Sequence, residues 1–139
     1  IEQETLEKKA ATLGIQKNIN FMGFQNNPYA YIQQSDIIVL PSLYEPFGLV
    51  YIESFALKTP VVAFDVQACN EIIVPNETGI LVAAKDSMGL AKSIIALLQN
   101  PAERNRLAEN GYQQYVNYYN TARMIKDTAD WYKSIIEVG

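Results

Sequence analysis

Three short runs, Asp36-Ile37-Ile38-Val39-Leu40, Val61-Val62-Ala63-Phe64 and Ile80-Leu81-Val82, alternate with helix-compatible segments. A brief apolar run bounded by turn residues reads as a strand buried on both faces. Strands of that kind need helices to cover them, so the alternation predicts an α/β fold built on a parallel sheet. In such a sheet, ligands bind where the carboxyl end of a strand gives way to the next helix. The stretch after the first run, Tyr44-Glu45-Pro46-Phe47-Gly48-Leu49-Val50-Tyr51-Ile52-Glu53, occupies that place.

Two glutamates lie in this stretch with seven residues between them. A helix starting near Gly48 leaves the amides of Phe47, Gly48, Leu49 and Val50 without intrahelical partners. Those amides carry positive partial charge and suit a phosphate. Gly48 removes a side chain where a ligand would approach the backbone. Glu45 precedes the helix, and Glu53 sits about one and a half turns into it. Two hydrogen-bond-accepting carboxylates flanking a phosphate site suit a ligand rich in hydroxyls, laid out as sugar, diphosphate and ribose.

Composition removes several classes. The net charge of −4 and a pI near 4.8 oppose a nucleic-acid surface, which needs a basic patch. Histidine is absent, which excludes histidine bases and histidine metal ligands within the chain. The single cysteine, Cys69, forms no internal disulfide and fits a reducing cytoplasm. No apolar run approaches the roughly 18–20 residues of a membrane span. The opening Ile1-Glu2-Gln3-Glu4 is not a secretory signal, and the lack of an initiator Met suggests a piece of something longer.

In chain order, Glu4 to Leu13 predicts a helix with Leu6, Ala10 and Leu13 on one face, stopped by Gly14. Ile19 to Met22 reads as a strand closed by Gly23. Asn27 is expected to cap a helix opened by Pro28, with Tyr29 and Ile32 inward. Lys58-Thr59-Pro60 breaks the helix that carries Glu53, and Pro75 to Gly79 is a turn. Asp86 caps a helix with Leu90, Ile94, Leu97 and Leu98 in a stripe. Asn100-Pro101 and Asn120-Thr121 start the two C-terminal helices. Leu107, Gly111, Tyr115 and Tyr119 share a face of the first; the second is apolar at Met124, Ile125, Trp131, Tyr132, Ile135 and Ile136. The tyrosines of 112–119 read as a helix face covering the sheet, with carbohydrate stacking as the other reading.

The string Pro41-Ser42-Leu43-Tyr44-Glu45-Pro46-Phe47-Gly48-Leu49-Val50-Tyr51-Ile52-Glu53 resembles the E-x7-E motif of retaining, GT-B-fold glycosyltransferases of the glycogen synthase and sucrose synthase type, family 4. Pro60-Val61-Val62-Ala63, Glu71 and Thr78-Gly79-Ile80-Leu81-Val82 follow in family order, and the likeness runs from about Leu6 to about Tyr132. It implies that residues 1–139 are the later part of a C-terminal, Rossmann-like donor-binding domain. The domain's first two strands, with an Arg/Lys pair for the diphosphate, and the acceptor-binding N-terminal domain would precede Ile1. Alone, such a chain is expected to be inactive.

The resemblance assigns roles residue by residue. Glu45 is the catalytic-site carboxylate, hydrogen-bonding a hydroxyl of the donor sugar. Phe47 and Gly48 touch the sugar through the backbone, and the Leu49 and Val50 amides lie near the diphosphate. Glu53 binds the ribose, Gly23 and Phe24 are candidates for base contact, and Glu71 lines the cleft. The substrate implied is a nucleoside diphosphate sugar of UDP or GDP type, with no metal or other cofactor, and the acceptor is a glycan or a lipid-linked glycan. The implied location is the cytoplasm, with the parent protein peripheral at the inner face of the membrane. Two departures stand out. Gln67-Ala68 replaces a Gly-Gly pair common in the cleft loop, and Thr59 stands where the family often has Gly. Cys69 reads as a small buried hydrophobe or as a cleft thiol. Two other functions remain: a non-catalytic, degenerate nucleotide-binding or assembly module, and a nucleotide-sugar epimerase.

Overall fold

The computed structural model describes residues 2–67 and 69–136. Its centre is a three-stranded parallel sheet of β1 (Ile38–Leu40), β2 (Val61–Asp65) and β3 (Gly79–Ala83), in that spatial order. The register pairs Ile38 with Val61, and Val61 in turn with Gly79. Helices are α1 (Glu2–Thr12), α2 (Tyr29–Gln34), α3 (Leu49–Ala56), α4 (Cys69–Ile72), α5 (Ser87–Leu98), α6 (Pro101–Gln114) and α7 (Thr121–Ile136). A π-helical turn, Tyr115–Tyr119, joins α6 to α7. The α/β, Rossmann-like parallel sheet with flanking helices and two C-terminal helices is thus the observed architecture.

The central strand organises two cores through its two-residue side-chain period. Val61 and Ala63 face a cluster with Tyr51, Phe55, Cys69, Ile72 and Ile73. Val62 and Phe64 face the other side, packing with Val82, Leu97 and Leu107. Gly111 lets α6 approach closely: a Cβ there would stand 2.6 Å from Cδ1 of buried Phe55. Tyr115 and Tyr119 pack against the first cluster, so they cover the core as the helix-face reading expects.

Local helix signals hold at most ends. Gly14 takes a left-handed φ of 69°. Its amide donates to Ala11 and that of Ile15 to Ala10, the Schellman arrangement. Asp86 accepts from the Gly89 amide, Asn100 from that of Glu103 and Asn120 from that of Arg123.

Several expectations are corrected. Residues 19–22 form no strand: Ile19 is extended (φ −122°, ψ 128°), but among the described residues nothing pairs with the segment, and a strand needs a ladder partner. β1 is half-buried rather than covered on both faces, and Asp36 lies exposed outside it, because β1 is the edge of the described sheet and only β2 is central. Of the α1 stripe only Ala10 is buried, since α1 mainly meets the 3₁₀ turn that follows it. Pro28, not Asn27, takes the cap position of α2, without a side-chain bond, and Ile32 alone points inward while Tyr29 stays exposed. Leu98 leaves the α5 stripe for solvent. The break after α3 falls where expected, with Lys58 left-handed at φ 55°. Thr59 is buried and donates its hydroxyl to the Ile32 carbonyl at 2.9 Å, tying α2 to the sheet. None of the described residues of α7 is buried.

Candidate functional site

The carboxyl ends of β1 and β2 open into a cleft of about 420 Å³. One wall is Leu43, Tyr44, Glu45, Pro46 and Phe47, from the loop after β1; the other is Val66, Gln67, Glu71 and Ile72, from the loop and short helix after β2. This is the position that parallel-sheet topology gives to ligands. Glu45 is half-buried, Glu71 exposed, and Phe47 has 55% of its surface open to solvent. Ala68 of the Gln67-Ala68 departure lies outside the described residues, while Gln67 faces the cleft.

Gly48 ends the first wall and begins α3. Its φ of 91° and ψ of 46° are left-handed, a conformation that costs a residue with a Cβ. A Cβ at Gly48 would also collide with Tyr51 Cδ2 and come within 2.5 Å of Tyr51 Cε2. The glycine is therefore demanded by the backbone and by the Tyr51 ring packed against it. Just beyond, Leu49 and Val50 are exposed at the open amino end of α3, where unpaired amides favour an anion.

Tyr51 was not legible as a site residue. It is fully buried, and its hydroxyl lies 2.8 Å from the Cys69 thiol. Burial foremost, then the bond to Cys69, then the charges of Cys69 and Glu45, push the phenol pKa well up, so Tyr51 stays protonated. Cys69 is completely buried, which settles it as a packed side chain instead of a cleft thiol. The Tyr51–Cys69 pair joins the two walls from beneath.

Glu53 does not line the cleft. It is half-buried on α3 and takes a long hydrogen bond, 3.5 Å, from the Tyr29 hydroxyl of α2. Phe24, 91% exposed, lines a separate open hollow of about 690 Å³ with Gln25, Asn26, Asn27, Ala30, Tyr31, Gln34 and Ser35. Gly23 is exposed at φ 59° and does not line that hollow. The structure thus gathers Glu45, Phe47 and Glu71, sets Gly48, Leu49 and Val50 at their edge, and leaves Glu53 and Phe24 apart. Among the described residues, no helix is long and apolar enough to cross a membrane.

The fold recurs among known proteins. A lipopolysaccharide core biosynthesis glycosyltransferase, LpsE of Rhizobium meliloti, is 31% identical over 119 residues, 86% of this chain and 35% of LpsE. Glycogen synthase of Mycobacterium tuberculosis is 30% identical over 133 residues, 94% of this chain and 32% of the synthase. The chain therefore spans about a third of the length of these relatives. Sucrose-phosphate synthase from Thermosynechococcus elongatus superposes with a TM-score of 0.89 at 30% identity, over 99% of this chain and 35% of that one. HepE of Anabaena, solved in complex with UDP, shares the fold at a TM-score of 0.90 and 22% identity, over 94% of this chain and 36% of HepE. The family model for glycosyl transferases group 1 matches residues 2–114, and the chain belongs to that family.

Proposed function

We propose that this chain is the donor-binding part of a retaining, family 4 glycosyltransferase, moving a sugar from a nucleoside diphosphate sugar to a glycan or glycolipid acceptor. The observation that carries the reading is the convergence of Glu45, Phe47 and Glu71 on one cleft, with the open amino end of α3 beside it. In this reading residues 1–139 are the later part of the C-terminal domain, and a further domain binds the acceptor. HepE, of the same fold, is known in complex with UDP and with UDP-glucose, which favours a UDP-type donor.

Glu45 accepts a hydrogen bond from a donor-sugar hydroxyl and fixes the ring over the Phe47–Gly48 backbone. The Leu49 and Val50 amides meet the diphosphate, where charge grows as the sugar–phosphate bond breaks. Glu53, on the next turn of α3, takes the ribose hydroxyls, and the Phe24 hollow takes the base. The acceptor oxygen attacks the face from which the phosphate leaves, and that phosphate receives the acceptor proton. The protein then acts chiefly by holding the reactants in line. No metal or cofactor enters the proposal.

Calorimetric titration of the intact protein with UDP-glucose, UDP and GDP tests it. Glu45→Ala should lose the extra affinity of the sugar nucleotide over UDP, and Glu53→Ala should weaken both. Unchanged affinity in both variants, or no binding by the parent protein, would sink the assignment.

A further inference from the structure

Helix α4 has four residues, Cys69–Ile72, too few to hold itself in place, yet it carries Glu71 and Ile72 into the cleft. Bonds from distant segments fix it. Gln114 Nε2, at the end of α6, donates to the Ile72 carbonyl at 2.7 Å. Tyr119 Oη, in the π-helical turn, donates to the Glu71 carbonyl at 3.1 Å. From below, Tyr51 holds Cys69. The orphan carbonyls at the end of a helix are thus met by side chains 42 and 48 residues further along the chain. Tyr115 and Tyr119 both lie against the core beside α4, and π turns are over-represented at functional sites. Tyr119 falls beyond residues 2–114, the part matched by the family.

We propose that Tyr119, with Gln114, is a positioning residue that aims Glu71 into the donor cleft. The inference rests on the donor-site reading above. Tyr119 touches no substrate; it sets where the α4 wall stands, and through that the reach of the Glu71 carboxylate. Gln114 stands at the last of the matched residues and Tyr119 five residues beyond it, so the tie reaches from the end of the matched part into the C-terminal helical segment.

The test is a double-mutant cycle in the intact protein, with UDP-glucose affinity read by calorimetry. Tyr119→Phe keeps the ring and removes one hydrogen bond, so a loss of roughly five- to tenfold is expected. Glu71→Ala should weaken binding by itself. On that background Tyr119→Phe should cost nothing further, because the carboxylate it aims is gone. Gln114→Leu should behave in the same way. A purely structural Tyr119 would instead lower the melting temperature equally on both backgrounds and add its loss to that of Glu71→Ala; that result overturns the inference. Unchanged affinity in Tyr119→Phe, with Glu45→Ala and Glu71→Ala both impaired, overturns it too and leaves the donor site standing. Failure of Glu45→Ala and Glu71→Ala together to alter binding would bring down the donor-site reading, and this inference with it.

Discussion

Gly48→Ala should be among the most damaging single-methyl changes in this chain, for two separable reasons. The first is backbone: Gly48 holds a left-handed φ of 91°, and forcing an L-residue there costs about 1–2 kcal/mol. The second is space: the new Cβ overlaps Tyr51 Cδ2 and sits within 2.5 Å of Cε2, and Ile72 Cδ1 stands at 3.4 Å. The Tyr51 ring is fully buried and cannot swing away freely. Overpacking of this kind costs about 1–3 kcal/mol. Together they give about 2–5 kcal/mol, a large share of a domain's usual 5–15 kcal/mol. Gly14→Ala provides the control: φ is also left-handed, at 69°, but nothing lies within 4 Å of the added Cβ. It should cost only the backbone part, about 1–2 kcal/mol. Urea denaturation followed by far-ultraviolet circular dichroism measures both. Gly48→Ala should exceed Gly14→Ala by about 1–3 kcal/mol, and roughly 4 °C of melting temperature accompanies each kcal/mol. Equal losses would refute the steric argument and with it the claim that Tyr51 underlies the glycine.

Two further outcomes follow from buried hydroxyls. The Tyr51 phenol has a raised pKa in the folded chain, chiefly through burial, so the folded state keeps a proton that the unfolded state gives up near its ordinary value of about 10. Stability is therefore fully present below about pH 10 and falls as pH rises above it. Urea midpoints compared between about pH 9 and pH 11 should fall less steeply in Tyr51→Phe than in the parent; an identical slope would contradict the assignment. Thr59→Val keeps shape but removes the donor to the Ile32 carbonyl, and should destabilise by about 1–3 kcal/mol, with faster hydrogen exchange confined to α2.

What the sequence determined was local. Gly14, Asp86, Asn100 and Asn120 mark helix ends because a positive φ or a short side-chain oxygen acts within a few residues of itself. The apolar runs at 61–64 and 80–82 became strands because a buried strand needs little more than continuous apolar side chains. The loop with Glu45, Phe47 and Gly48 was legible for the same reason: its place after a strand follows from chain order alone. Tertiary structure decided the rest. Residues 19–22 have strand chemistry but no partner among the described residues, and pairing is a property of two segments. Both Ile38–Leu40 and Val61–Asp65 read as apolar strands buried on both faces, yet among the described residues only the second has neighbours on each side. Glu45 and Glu53 lie in one ten-residue stretch, but the turn of α3 sends Glu53 toward Tyr29 and out of the cleft, while Glu71 arrives from another loop. Tyr51, Cys69, Gln114 and Tyr119 acquired their roles from contacts spanning 18 to 48 residues of chain. Such contacts leave no periodic trace in the sequence, because packing and hydrogen bonding depend on where the backbone has already been placed.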